Sequence, residues 1–278
     1  MDRFGLGWRP ELAASILTHL DSIDLIEIIA DDHFRASRRE LRALRRLAAE
    51  VPVVWHGISL GLASTVPVEA QLLDALARLV GETGAAGWSE HLAFVRGGGI
   101  EIGHLAAPPR NAASIDGACA NLARAQRVVG AAPLVENIAT LIEPPASDID
   151  EPEWAGAIVA MADATLLLDL HNLYANAINF GQDLFAYLQR FPLDRVRMVH
   201  LAGGRWIEGP NRVRRLLDDH LHDVPDAVFA LLTELGRLAP QPLDVIIERD
   251  GRYPPFSEML RELAAARRAL AAGRAQRR

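Results

Sequence analysis

Six apolar segments of this chain run directly into residues of the types that bind metal ions. Burying a carboxylate or an unpaired imidazole among apolar side chains costs about 2 kcal/mol or more unless a partner compensates for it. Six such residues at the ends of apolar segments therefore indicate a shared partner, and metal ions are the simplest one. These residues are His56, His91, Glu136, Asp169, His200 and Glu248.

Two further places in the sequence offer donors of the same kind. Asn172 follows Asp169 by three residues, with His171 between them as a rival donor, and Asp218-x-His220 stands in a polar segment after His200. This donor set combines imidazole with carboxylate and lacks thiolate, which suits iron, manganese or zinc. The donors exceed the needs of one ion, so we expect two or three ions, with Glu136 as a candidate bridging carboxylate.

Some polar residues near these donors keep more than one interpretation. His56 or His91 taken alone could cap a backbone group, and His222 could support a ligand or only a turn. Glu27 and the run Asp31-Asp32-His33 form another acidic strand end. They could bind substrate, support the ligands or pair with an arginine, and the sequence does not choose among these roles.

The donors need a framework that brings strand ends together, and the hydrophobic pattern supplies eight candidate strands. Short β-branched or apolar runs alternate with longer segments of helical period. The predicted strands are Phe4–Trp8, Asp24–Ala30, Val53–Leu60, Trp88–Phe94, Leu134–Ala139, Thr165–His171, Val196–Leu201 and Leu243–Arg249.

Helical segments separate these strands. Strict alternation of strands and helices predicts a parallel sheet, and eight strands are the number that closes a barrel. We therefore predict a single-domain (β/α)₈ TIM barrel over residues 1–278. The rival doubly wound sheet would need a glycine-rich phosphate loop that the chain lacks. The predicted helices are Pro10–Leu20, Ser37–Glu50, Val68–Thr83, Ala112–Val129, Glu153–Met161, Asp183–Arg190, Asp226–Gly236 and Pro255–Ala272.

Two segments do not follow this alternation. Residues 203–223 contain several glycines and arginines and no clear element, which predicts a long loop on the catalytic face of the barrel. Arg212, Arg214 and Arg215 in this loop either contact an acidic peptide or form a solvated turn. The Ala- and Arg-rich residues 267–278 predict a frayed basic tail.

Composition narrows the class of protein. The 278 residues carry a formal net charge of −7, which does not favour a nucleic-acid partner. The single cysteine, Cys119, excludes an internal disulfide framework and a thiolate metal cluster. No secretory signal or membrane-length apolar run is apparent, so a soluble protein located in the cytoplasm is expected.

Taken in order, the donor motifs resemble those of the multinuclear non-heme iron-dependent oxidative enzymes, the peptide-modifying TIM-barrel oxidases of the methanobactin-biosynthesis type. The resemblance spans residues 5–260, and the ordered set is more specific than any single motif. The motifs are Gly5-Leu6-Gly7-x-Arg9, His56-Gly57-Ile58-Ser59-Leu60, Ser89-Glu90-His91-Leu92, Glu136-Asn137, Leu168-Asp169-x-x-Asn172, His200-Leu201-Ala202-Gly203, Asp218-x-His220-x-His222 and Ile247-Glu248.

The resemblance implies an enzyme with two or three iron ions that uses dioxygen to modify cysteine or another residue of a ribosomally made precursor peptide. Members of that family are often helped by a small partner protein that presents the peptide. Asp218, His220 and Glu248 are expected to serve in catalysis as well as in metal binding. The metal ligands implied by the resemblance are His56, His91, Glu136, Asp169, Asn172, His200, Asp218, His220 and Glu248.

The chain departs from the family pattern at three positions. Gly204 stands where a second histidine is common, His171-Asn172 replaces an asparagine pair, and Asp32 replaces an asparagine. Two other hypotheses about the function stay open. One is a divalent-metal hydrolase or isomerase resembling the xylose isomerase or endonuclease IV barrels. The other is a non-catalytic metal- or peptide-binding component of a biosynthetic complex.

Overall fold

The computed structural model describes residues 1–209 and 212–277. Eight parallel strands form a closed barrel with helices between them, which confirms the predicted fold class. The barrel strands are β1 (Arg3–Gly7), β2 (Leu25–Ile29), β3 (Val53–Gly57), β4 (Gly87–His91), β7 (Leu134–Glu136), β8 (Thr165–Asp169), β9 (Val196–Leu201) and β12 (Asp244–Ile247). Their order around the barrel is β1-β12-β9-β8-β7-β4-β3-β2.

Two antiparallel hairpins interrupt the alternation. Strand β5 (Phe94–Gly97) pairs with β6 (Ile100–Ala106), where the sequence predicted only the end of a strand at Phe94. Strand β10 (Gly204–Glu208) pairs with β11 (Arg214–Asp218). The loop predicted over 203–223 was therefore wrong for the ten residues of these two strands, because pairing between its two arms stabilises strands that the local pattern does not indicate. Pro210 and Asn211 of that segment lie outside the described residues.

The helices largely match the prediction, with one addition. The chain turns into a helix directly after β8, so the strand predicted to reach His171 was wrong. The side chain of Asp169 caps this helix by accepting a hydrogen bond from the Asn172 amide at 2.6 Å. The helices are α1 (Ala13–Thr18), α2 (Arg38–Glu50), α3 (Ala70–Thr83), α4 (Ala112–Val129), α5 (Glu151–Met161), α6 (Leu170–Asn179), α7 (Leu184–Gln189), α8 (Asp226–Leu238) and α9 (Phe256–Ala275).

The C-terminal segment is packed, which corrects the frayed tail predicted for 267–278. Helix α9 continues to Ala275, and Leu270 is fully buried within it. A Cβ atom on Gly236 would lie 2.8 Å from the Leu270 carbonyl oxygen, so this glycine lets α8 and α9 approach closely. Arg274 then donates hydrogen bonds to Asp2 at 2.9 Å and to the Gln241 carbonyl at 2.6 Å. Arg278 lies outside the described residues.

The chain divides into two compact units that interleave in sequence. The first unit comprises Met1–Asp24, Ala139–Glu143 and Leu167–Arg278, and the second comprises Leu25–Ile138 and Pro144–Leu166. The single-domain boundary at 1–278 stays a prediction. Among the described residues, no helix combines the length and apolar character needed to cross a membrane.

Candidate metal centre

In the second unit, three predicted ligands converge at the carboxyl ends of their strands. We call His56, His91 and Glu136 the β3–β4–β7 cluster. The Nε2 atom of His56 lies 3.6 Å from Glu136 Oε2, and the Nε2 atom of His91 lies 3.4 Å from the same oxygen. All three residues are buried, with at most 8% exposure. One donor atom from each lies within 4.8 Å of the other two, a spacing that could hold a metal ion.

The Nδ1 atom of each imidazole in this cluster already makes a hydrogen bond within the chain. His56 Nδ1 forms a hydrogen bond with Ser89 Oγ at 2.8 Å. His91 Nδ1 donates to the Gly57 carbonyl oxygen at 3.1 Å. A histidine that donates through Nδ1 keeps Nε2 as the electron-pair donor, which is the arrangement seen in metal-ligating histidines. Their partners thus orient both rings towards Glu136.

Two buried glutamates that the sequence analysis left undecided or missed support this cluster. Glu27 is fully buried, and its Oε2 lies 4.0 Å from His56 Nδ1. Glu90, also fully buried, accepts hydrogen bonds from the amides of His91 at 2.9 Å and Leu60 at 3.1 Å. The signal for Glu27 was a single charge within the apolar run of β2. Glu90 was missed as a supporting residue, because the neighbouring His91 already accounted for a polar side chain at the end of that strand.

The first unit contains a second group of predicted ligands. Asp169, His200 and Glu248 form what we call the β8–β9–β12 cluster. Asp169 ends β8, His200 is the second-to-last residue of β9, and Glu248 follows β12. Donor atoms from the three lie within 4.8 Å of one another. His200 Nδ1 is 3.0 Å from Glu248 Oε2, and neither residue is more than 4% exposed. This cluster contains two carboxylates and one imidazole.

Asp218 and His220 form a pair beside that cluster. Asp218 Oδ2 lies 2.9 Å from His220 Nε2, and His220 Nδ1 lies 3.7 Å from Glu248 Oε2. Burial would raise the pKa of Asp218, but the charge of His220 and the hydrogen bond from His171 hold it well below its usual range. Burial would lower the pKa of His220, yet the charges of Asp218 and Glu248 raise it well above its ordinary value.

The backbone of His220 adopts a left-handed conformation, with φ of +52°. Such a conformation costs energy in a residue other than glycine and persists where surrounding contacts enforce it. The carbonyl oxygen of His220 accepts from the Asp250 amide at 2.9 Å, and Asp250 Oδ2 lies 3.1 Å from His220 Nδ1. Arg9 in turn donates to Asp250 Oδ1 at 2.8 Å. The sequence analysis gave no role to Asp250.

The donors fit a divalent metal ion by their geometry as well as their type. At metal–nitrogen distances of about 2.1 Å, two ligand atoms of one ion stand about 3 to 3.5 Å apart. The pairs from His91 to Glu136 and from His220 to Asp218, at 3.4 and 2.9 Å, match or nearly match this range. His220 Nε2 is buried and makes no hydrogen bond within the described chain, although Asp218 Oδ2 is so close. The spacing of these two atoms is close to that of two ligands of one ion.

The structure brings most of the predicted ligands together within each unit. Asn172 lies in the first turn of α6, buried beside Asp169, while His222 is partly exposed and bonded to Asp219 at 2.9 Å. The arginines of the predicted loop are partly accounted for within the chain. Arg214 stacks on Trp206 at 4.8 Å, and Arg215 lies 6.0 Å from the Phe180 ring.

Solved structures with this fold include several sugar epimerases. A D-psicose 3-epimerase from Clostridium cellulolyticum H10 aligns with a TM-score of 0.60 over 99% of this chain and 98% of its own, at 11% identity. Endonuclease IV from Thermus thermophilus aligns with a TM-score of 0.55 over 98% of both chains, at 18% identity. At these identities the similarity establishes the fold alone.

Curated relatives of this chain are named UPF0276 proteins. One from Streptomyces avermitilis is 35% identical over 96% of this chain, which spans 54% of that relative's length. One from Anaeromyxobacter sp. is 32% identical over 93% of this chain and 89% of its own. The model of the family described as RiPP precursor modification enzyme MbnB/TglH/ChrH matches residues 3–271. The chain therefore belongs to the MbnB/TglH/ChrH family of RiPP precursor modification enzymes, RiPPs being ribosomally synthesised and post-translationally modified peptides.

Proposed function

We propose that this protein is a multinuclear non-heme iron-dependent oxidase that uses dioxygen to modify a residue, cysteine above all, of a ribosomally synthesised precursor peptide. The observation that carries the proposal is the convergence of His56, His91 and Glu136 in one buried cluster, with a second cluster on β8, β9 and β12. Membership in a family of peptide-modifying enzymes supports a peptide substrate.

The donor chemistry favours iron among the divalent metals. Each cluster combines imidazole with carboxylate and contains no thiolate, and such sites with open positions are typical of non-heme iron oxygenases. Two clusters, together with the Asp218–His220 pair, offer donors for two or three ions. Iron would supply one-electron redox chemistry with dioxygen as the electron acceptor.

The chain's own residues would bind the metal and manage protons. His56, His91, Glu136, Asp169, Asn172 and His200 act as ligands in this proposal, while Asp218, His220 and Glu248 also serve the reaction. His220 stands between Asp218 at Nε2 and Asp250 at Nδ1. With Nε2 bound to a metal ion, His220 keeps its proton on Nδ1, where the Asp250 carboxylate accepts it. A carboxylate at this position can take up a proton in a reaction that removes hydrogen from the carbon beside the cysteine sulfur.

The first experiment is metal analysis of protein purified without chelator, together with Mössbauer spectra. We expect two or more irons per chain, and loss of metal in His91→Ala and Glu136→Ala. His104→Ala is the matched control, because His104 lies in the exposed hairpin strand β6. Thermal unfolding of each variant separates loss of metal from loss of the fold.

The second experiment tests the reaction. The iron-loaded protein should consume dioxygen in the presence of a cysteine-containing precursor peptide, with a matching mass change in the peptide, and a small partner protein should increase the rate if it presents the peptide. If the purified protein contained stoichiometric zinc or manganese and gave no oxygen-reactive iron form on reconstitution, the result would contradict the proposal and favour a hydrolase or isomerase. Bound iron with no open coordination position would favour a non-catalytic component.

A further inference from the structure

His171 is fully buried in the first turn of α6 and belongs to neither donor cluster. Its Nδ1 atom lies 2.7 Å from Asp218 Oδ1. Because a carboxylate oxygen can only accept, His171 donates this hydrogen bond. The contact joins α6 to β11 across 47 residues of sequence.

The Cε1–Nε2 edge of the His171 ring lies against Gly204, the first residue of β10. A Cβ atom at position 204 would lie 2.6 Å from His171 Cε1 and 3.0 Å from His171 Nε2. Gly204 pairs with Asp218 in the β10–β11 register. The imidazole therefore lies between the backbone of one hairpin strand and the carboxylate of the other.

This placement separates His171 from the metal-binding donors. Its Nε2 atom is buried, has no hydrogen-bond partner in the described chain and faces the Gly204 backbone. Its Nδ1 atom is occupied by the hydrogen bond to Asp218. His171 is thus arranged to hold a ligand rather than to be one.

The Asp218 carboxylate has a different imidazole at each oxygen. Oδ1 accepts from His171, and Oδ2 faces His220 Nε2 at 2.9 Å. The hydrogen bond at Oδ1 holds the carboxylate in the orientation that turns Oδ2 towards His220 Nε2. Groups that hold a metal ligand in this way commonly change metal affinity by about 10- to 100-fold when they are removed.

We propose that His171 is a positioning residue that locks the Asp218 carboxylate so that Oδ2, together with His220 Nε2, faces a metal ion. The proposal rests on the proposed function, because it assumes that Asp218 and His220 bind metal. Glycine at position 204 leaves room for the ring and also for the Leu217 carbonyl oxygen, which would lie 2.1 Å from a Cβ atom there.

The test uses two amide variants that differ in where they place a donor. In His171→Asn the side-chain NH₂ takes the place of Nδ1 and can still donate to Asp218. In His171→Gln the NH₂ takes the place of Nε2 and faces Gly204 instead. Both variants keep a neutral polar side chain, so a difference between them reports donor position rather than packing.

Metal-free protein is titrated anaerobically with cobalt(II), and binding is followed by the visible absorption of the bound cobalt. The absorption bands that are lost in His220→Ala identify the Asp218–His220 site. We expect His171→Asn to bind as the parent does, and His171→Gln to lose about 10- to 100-fold in affinity at that site alone. Thermal unfolding of the metal-free proteins checks the fold.

Three outcomes would overturn the inference. Parent-like binding at every site in His171→Gln would show that the hydrogen bond does not position Asp218. Equal loss in both amide variants would assign His171 to packing alone. If the parent protein bound no cobalt at any site, the proposed function would fall together with the inference, whereas the first two outcomes leave the proposed function intact.

Discussion

Gly57 and Glu90 approach so closely that a Cβ atom on residue 57 would lie 2.6 Å from Glu90 Oε2. That oxygen accepts from the Leu60 amide, and the other oxygen of Glu90 accepts from the His91 amide. Glu90 therefore ties the segment after β3 to the histidine that ends β4. The glycine in the His56-Gly57 pair is what makes room for this carboxylate.

The first prediction follows from that contact. Gly57→Ala should lower the free energy of unfolding by about 1–3 kcal/mol, because Glu90 must move and weaken both hydrogen bonds. Urea denaturation of the metal-free protein measures it. Gly81→Ala is the control, since nothing lies within 4 Å of a Cβ there and residue 81 is in helix α3. That variant should gain up to about 1 kcal/mol, and an equal loss in both would contradict the argument.

Ser89→Ala should weaken metal binding at the β3–β4–β7 cluster. The Ser89 hydroxyl is the partner of His56 Nδ1, and without it the imidazole loses the contact that orients Nε2. A drop of about 10- to 100-fold in affinity is expected, as measured by competition with a chelator of known affinity. Ser257→Ala, at an exposed position of α9, should bind as the parent does. Unchanged affinity in Ser89→Ala would mean that the ring is held by its packing.

Arg274→Ala should destabilise the protein although it lies four residues from the end of the chain. Arg274 donates to the Asp2 carboxylate and to the carbonyl oxygens of Ala239 and Gln241. Loss of these bonds should cost about 1–3 kcal/mol, seen as a lower thermal midpoint. Arg268→Ala removes an exposed arginine of the same helix and should change stability by less than about 0.5 kcal/mol. Equal midpoints for both variants would contradict the packed C-terminus.

Cys119 should react slowly with iodoacetamide at mildly alkaline pH. Burial raises the pKa of its thiol, and the charge of Asp116 raises it further. Since the thiolate is the reactive form, a raised pKa leaves less of it at a given pH and moves the rise in rate to higher pH. Alkylation followed by mass spectrometry should therefore be slower in the folded protein than in concentrated denaturant. Asp116→Asn should shift the rate profile to lower pH, and a shift in the other direction would contradict the assignment.

Much of the framework was predictable because it depends on local patterns. The runs before His56 and Asp169 are continuous and apolar, as expected for strands covered on both faces, and each forms a barrel strand. The helix after Asp169 was missed because Leu170, its first residue, continues the apolar run of Leu166–Leu168. In the structure the strand ends at Asp169, whose side chain caps the helix that follows.

The sequence by itself determined which residue types stand at the strand ends, and hence that the protein carries imidazole and carboxylate donors. The tertiary structure alone decided which nitrogen of each histidine faces its cluster and where His171 points. Those orientations depend on partners such as Ser89 for His56, 33 residues away, and Asp218 for His171, 47 residues away. A local pattern has no information about contacts at that separation, because the closure of the intervening chain and the packing around it bring the two residues together.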